Sequence, residues 1–258
     1  MNEPTIGFVG GGRIARIILS GWNRTHRPLS GIVVTDTDAG MLERLQTEFP
    51  SIAVSQDNRQ AAKQDVVLFA LHPPAFPPVL GEIRESLPLS GILVSLAPRW
   101  TMSRICEVLG GFNRLARVIP NAPSVVNEGY NPVSFAENLT AEDRERVRSL
   151  FAPLGACPEV AEETLEAYAI VAAMGPTYLW YQLYQLIELG CDFGLTREAA
   201  TEAVAAMVEG AASTIVGAGL TPEGVMDLIP VKPLAAIEQT VKQAYLDALG
   251  GLYKKLKS

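Results

Sequence analysis

The stretch Thr5-Ile6-Gly7-Phe8-Val9-Gly10-Gly11-Gly12-Arg13-Ile14-Ala15 decides the fold. A short apolar strand runs into three glycines, and helical sequence follows directly. The spacing Gly10-x-Gly12-x-x-Ala15 is that of a dinucleotide-binding turn. The first glycine permits the tight bend, the second lets backbone approach a pyrophosphate, and the small third residue lets helix pack on strand. Backbone amides at Arg13 and Ile14, opening the helix, would face the phosphates. Ile32-Val33-Val34-Thr35-Asp36 reads as the second strand. It ends in an acid about twenty residues on, where a ribose-reading carboxylate belongs. Asp36 could instead cap the next helix.

Outward from this stretch, residues 1–160 alternate strand and helix. Strands are expected at Thr5–Val9, Ile32–Asp36, Ile52–Val54, Val66–Leu71, Gly91–Ser95 and Leu115–Ile119. Helices are expected between them, among others at Ile14–Trp22, Ala39–Glu48 and Ser103–Leu109, the last with Thr101 as N-cap. Apolar runs such as Val66–Leu71 suit strands covered on both faces, and the alternation implies an α/β doubly wound parallel sheet. Pro132–Phe135 and Ala156–Val160 read as later strands around a helix capped by Thr140.

Over residues 161–258 the strand signals stop. Helical sequence runs from Glu163 to Gly190 with a break at Gly175-Pro176, then from Thr196 to about Val216, from a cap at Thr221-Pro222-Glu223, and from Leu234 to Lys255. Tyr178, Trp180, Tyr181 and Tyr184 lie at helical spacing and read as core. This second, all-helical domain carries more apolar surface than it can cover, so a homodimer or higher homo-oligomer is expected.

The 258 residues are 48% hydrophobic and 19% charged, a globular composition, and the net charge of −7 offers no footprint for nucleic acid. Three cysteines and two histidines without ligand spacing argue against a metal site. No signal-type segment opens the chain and no run reaches the length of a membrane span, so a soluble cytoplasmic protein with no membrane contact is expected.

In a doubly wound sheet, ligands bind beyond the carboxyl ends of the strands. The segments that fall there are Gly10–Arg13, Asp36-Thr37-Asp38, His72-Pro73-Pro74, Ala97-Pro98-Arg99, and Arg117-Val118-Ile119-Pro120-Asn121-Ala122-Pro123 with Asn127-Glu128-Gly129. Arg117 could contact substrate or be a structural ion-pair partner. Asn121 could serve the site or only satisfy loop backbone. There is no Gly-x-Ser-x-Gly elbow, no phosphate loop ending in Gly-Lys-Ser/Thr and no His-Glu-x-x-His.

Taken in order, these motifs resemble the pyrroline-5-carboxylate reductases. Ile6–Ala15 looks like their cofactor loop. Phe69-Ala70-Leu71-His72-Pro73 resembles their Val-Lys-Pro segment with His72 in place of lysine, and Ser95-Leu96-Ala97 their Ser-x-Ala turn. Arg117–Pro123 is close to Arg-Val-Met-Pro-Asn-x-Pro, and Gly175-Pro176-Thr177-Tyr178 to Gly-Pro-Ala-Tyr. The resemblance implies a Rossmann domain followed by a helical dimerisation domain, and a reductase acting on the imine of a small, acidic substrate. The cofactor would be NADH or NADPH, held by Gly10, Gly12, Arg13, Ile14, Asp36, His72, Pro73 and Ala97. NADH is favoured because Asp36 would repel a 2′-phosphate.

The departures cluster where substrate would sit. The family's Ser-Pro-Gly-Gly-Thr-Thr, whose amides and hydroxyls hold the substrate carboxylate, reads Val231-Lys232-Pro233-Leu234-Ala235-Ala236 here. Its Ser-Gly-Ser before the helix break reads Ala172-Ala173-Met174. Lys232 is new and could supply a cation, so Lys232 and Asn121 are the candidate catalytic residues. A hydroxyacid-dehydrogenase-like carbonyl reductase and a non-catalytic, dinucleotide-binding regulator are the alternatives.

Overall fold

The computed structural model describes residues 4–257. The chain forms two compact units: one runs up to Met174 and includes the stretch from Tyr253 on, the other spans Gly175–Leu252.

The first unit is built on a seven-stranded sheet. Its strands are β1 (Ile6–Val9), β2 (Ile32–Thr35), β3 (Ala53–Ser55), β4 (Val66–Phe69), β5 (Ile92–Ser95), β6 (Leu115–Val118) and, after the two-residue β7 (Gly129–Tyr130), β8 (Val133–Phe135). The order is β3-β2-β1-β4-β5-β6-β8, with the first six parallel and β8 antiparallel to β6. This is the expected doubly wound sheet, its order reversing between β1 and β4. Short β-branched strands with no polar face demand cover on both sides, and the chain supplies it. Ile6 and Phe8 of β1, Val66 and Leu68 of β4, and Ile92 and Val94 of β5 point into one core. Val9, Val67, Phe69 and Leu93 point into the other.

The connecting helices are α1 (Arg13–Arg24), α2 (Ala39–Glu48), α3 (Asn58–Ala62), α4 (Phe76–Ile83), α5 (Met102–Val108) and α6 (Ala141–Phe151). α1 buries Ala15, Ile18, Leu19 and Trp22, the i, i+3, i+4, i+7 stripe of a helix lying on a sheet. Trp22 Nε1 donates to the Leu150 carbonyl at 2.7 Å, which ties α1 to α6. Thr101 caps α5 as expected, and Thr140 caps α6 in a reciprocal box with Asp143.

Ala156–Val160 is not a full strand. Only Gly155–Ala156 (β9) pairs, with β7, and Val133 meets Glu159 in a single bridge. Pro158 interrupts the run, and proline cannot sustain a ladder. After it, α7 (Leu165–Tyr168) continues into one π-helical turn, Ala169–Ala173. Ile119, Leu165 and Ala169 form a third small core, against which Leu256 packs.

The second unit is helical: α8 (Pro176–Asp192), α9 (Arg197–Gly217), α10 (Pro222–Asp227) and most of α11 (Glu238–Lys257). Pro176 sits in the first turn of α8, where no backbone donor is needed. Two expectations need correction here. Trp180, Tyr181 and Tyr184 are not core within the chain; they are 45%, 67% and 67% exposed. And one helix, α9, is long and apolar enough to span a membrane by length and composition alone, with 21 residues and a mean hydropathy of 1.2 over its window.

Candidate active site

The carboxyl edge of the sheet gathers the predicted segments. At the end of β1, Gly10 takes φ +106°, a conformation open to glycine and costly for other residues. A Cβ there would also lie 2.7 Å from the Ala70 carbonyl oxygen. Gly12 is the N-cap of α1 and places no side chain over the helix end. A Cβ on Gly12 would meet nothing within 4 Å, so the space above the first amides of α1 is open. A helix N-terminus with free amides beneath an open turn is an anion seat. Ile14 is half-buried, and the Arg13 side chain is exposed.

Asp36 follows β2 directly. Its Oδ2 accepts from the Gly11 amide at 2.9 Å, and its Oδ1 from the Asp38 amide at 3.0 Å. It therefore does not cap α2; Asp38 does, accepting from Met41 N–H. The carboxylate is locked against the glycine turn, each oxygen keeping lone-pair capacity for a further donor. A cleft of about 720 Å³ opens beside it, lined among others by Gly11, Gly12, Arg13, Met41 and Arg44.

Farther along the edge, exposed His72 precedes a short turn beginning at Pro73, just after β4. Ala97, after β5, is buried. The loop after β6 is held by Asn121 and Asn131. Asn121 Oδ1 accepts from the Tyr130 amide at 3.0 Å, and its own amide donates to Asn131 Oδ1 at 3.2 Å. Asn121 is 6% exposed and works first as a loop fastener. Lys232 belongs to the second unit, exposed in the segment between α10 and α11.

Arg117 is an ion-pair partner. Its guanidinium is fully buried and donates to Glu166 Oε1 at 2.7 Å and to Glu162 Oε1 at 3.0 Å. The same two oxygens accept from the amides of Arg99 (3.1 Å) and Met102 (2.6 Å) in the loop after β5. Burial raises the pKa of Glu166, but the hydrogen bond and charge of Arg117 outweigh it, so the carboxyl lies below its usual range. The two acids stand 45 and 49 residues from Arg117, which is why no local pattern announced them.

A glycine turn on β1, an anchored acid on β2 and an open helix end at the sheet's switch point define a dinucleotide-binding oxidoreductase of the Rossmann class. The pattern of the family described as "NADP oxidoreductase coenzyme F420-dependent" matches residues 5–99, and that of "Pyrroline-5-carboxylate reductase dimerisation" matches residues 162–245. The pyrroline-5-carboxylate reductase of Corynebacterium melassecola is 28% identical over 221 residues, 84% of this chain and 82% of that one. The Escherichia coli reductase is 27% identical over 228 residues, 88% and 85% of the two chains. Among solved structures, a pyrroline-5-carboxylate reductase from Coxiella burnetii aligns at TM-score 0.72 and 28% identity over 99% of this chain and 95% of its own. The Plasmodium falciparum reductase, solved with NADP bound, shares the fold at TM-score 0.85 and 21% identity, over 100% and 98% of the two chains. Over most of its length the chain is thus similar to pyrroline-5-carboxylate reductases, and its residues 162–245 carry the pattern of their dimerisation domain.

Proposed function

We propose that this protein is an NAD(P)H-dependent reductase that transfers hydride to the carbon of an imine in a small, acidic substrate. The observation that carries the reading is the open turn at Gly10–Gly12 above the uncapped start of α1, with Asp36 locked beside it. The family and its NADP-bound relative support it. When bound, the nicotinamide supplies the hydride. The chain's own residues bind and orient. Amides at Gly12, Arg13 and Ile14 would take the pyrophosphate, Asp36 the adenosine ribose, and His72, Pro73 and Ala97 the nicotinamide half. Asn121 acts from a fixed position: with Oδ1 engaged by Tyr130, its Nδ2 group is the donor it can offer. Lys232 is a candidate cation for an acid group, in place of the amide-rich loop of the relatives. The soluble, cytoplasmic setting and the exclusion of nucleic acid and membrane partners belong to this reading.

The test is binding and turnover. Wild-type protein binds NADH or NADPH in calorimetry and oxidises it with at least one member of a panel of cyclic imines, pyrroline-5-carboxylate included. Gly12→Val folds, since the added side chain meets open space, but loses cofactor binding at least tenfold because that space is where phosphate must come. Unchanged affinity in this variant sinks the site.

A further inference from the structure

We infer that Arg99 selects the acidic substrate, its guanidinium receiving the substrate's carboxylate at the nicotinamide end of the sheet; the inference rests on the reductase reading above. In this strand order one mononucleotide lies over each half of the sheet. Asp36 after β2 marks the adenosine half, so the loop after β5, which carries Arg99, faces the reacting half.

The backbone of Arg99 has φ +77°, in the left-handed region. An L side chain enters it against steric resistance, and glycine would enter it freely. Such strain persists only where the surroundings over-determine it, and here they do. The Arg99 amide donates to Glu166 Oε1, which pairs with buried Arg117, and Glu162 holds both Arg117 and the Met102 amide. Between these ties Trp100 is buried, stacked on Phe76 at 5.2 Å with the Arg104 guanidinium 4.2 Å above its ring. The loop is therefore fixed on both sides of a residue whose side chain is exposed and, among the described residues, makes no ion pair. The nearby acids do not consume its charge, since both are already paired with Arg117. A free guanidinium on a fixed backbone presents the planar fork that matches a carboxylate. Glu166 is a positioning residue: it sets the backbone from which Arg99 projects.

The experiment uses the full-length protein and two probes, proline and prolinamide, titrated calorimetrically into the NADH-loaded form. NADH affinity and melting temperature are measured beside them. Wild type is expected to bind proline at least tenfold more tightly than prolinamide. Arg99→Gly removes that preference, leaves NADH affinity intact, and leaves the melting temperature unchanged or raised because the strain is relieved. Arg99→Lys retains part of the preference. Glu166→Ala, which keeps the guanidinium but frees its backbone, weakens proline while sparing NADH; an equal loss of both overturns its positioning role. The inference is overturned if wild type shows no preference, if Arg99→Gly keeps it, if NADH affinity falls in parallel, or if Lys232→Ala alone abolishes it. Failure of wild type to bind NADH or NADPH removes the reductase reading itself, and this inference with it.

Discussion

At the scale of single residues, the proposed cofactor choice turns on Asp36. Its carboxylate is held by two backbone amides at 2.9 and 3.0 Å, so it cannot swing away from an incoming ribose. With Asp38 close by, a 2′-phosphate would meet two carboxylates, and like charges a few ångströms apart repel by about 1 kcal/mol or more even at high dielectric. Arg13 and Arg44 on the cleft wall offset part of this. NADH is therefore expected to bind about tenfold more tightly than NADPH, and Asp36→Asn to narrow that ratio; fluorescence titration with both cofactors decides, and a lower dissociation constant for NADPH in wild type refutes the assignment. Residues of this kind were legible because their chemistry is local: Gly10, Gly12 and Asp36 occupy fixed offsets from strand ends. The Arg117 counter-ions were not legible, because an ion pair closed by tertiary folding leaves no spacing to read. Arg99 was visible only as a loop residue, since φ is not written in a side chain.

At the scale of elements, capping made helix starts readable. Thr101, Thr140, Thr196 and Thr221 each accept from a backbone amide at the start of the helix they were expected to open, or lie at its N-cap. α4 has no capping side chain; Pro77 and Pro78 sit in its first turn, where missing donors cost nothing. The α6 box carries a pH dependence. Burial raises the pKa of Asp143, but hydrogen bonds from Thr140 and the charge of Arg114 outweigh it, and the folded value lies below the ordinary 3.8. A carboxyl depressed in the folded state contributes stability above its unfolded pKa and loses it as pH falls through the lower folded value. Glu166 has the same sign relative to its ordinary 4.5. Urea denaturation is thus expected to show stability level near neutrality and falling below about pH 4.5. Asp143→Asn should flatten part of that acid limb and cost about 1 kcal/mol at pH 7 through the weakened cap. Glu166→Gln should cost more, about 3 kcal/mol, because it leaves buried Arg117 with Glu162 alone. An acid limb identical to wild type in both variants would remove these carboxylates from the account.

At the scale of the whole molecule, the second unit argues for a partner of its own kind. Within the chain α8 buries only Ile187, α9 only Ala200, and α10 and α11 no residue at all. Tyr181, Tyr184, Phe193, Ile215 and Val216 are 67–88% exposed. α8 and α9, of 17 and 21 residues, pack on each other yet bury one residue each, so their packing leaves most of their apolar surface uncovered, and helical segments in water hold through their packed faces. Exposed apolar surface of this extent marks an interface. The match of residues 162–245 to a dimerisation family makes a second copy of the chain the natural cover. Sequence patterning conveyed the apolar excess but not its placement, because a helix that is apolar on several faces reads alike whether its own domain or a partner buries it. Sedimentation velocity at micromolar concentration is expected to give a dimer or a larger even assembly. Tyr181→Glu and Phe193→Glu should each shift the distribution toward monomer and, because dimer contacts are then lost from the folded state, lower the melting temperature in a concentration-dependent way. A wild-type monomer at micromolar concentration with full helical circular dichroism would show that these helices stand without a partner, and would end the argument from exposed apolar surface.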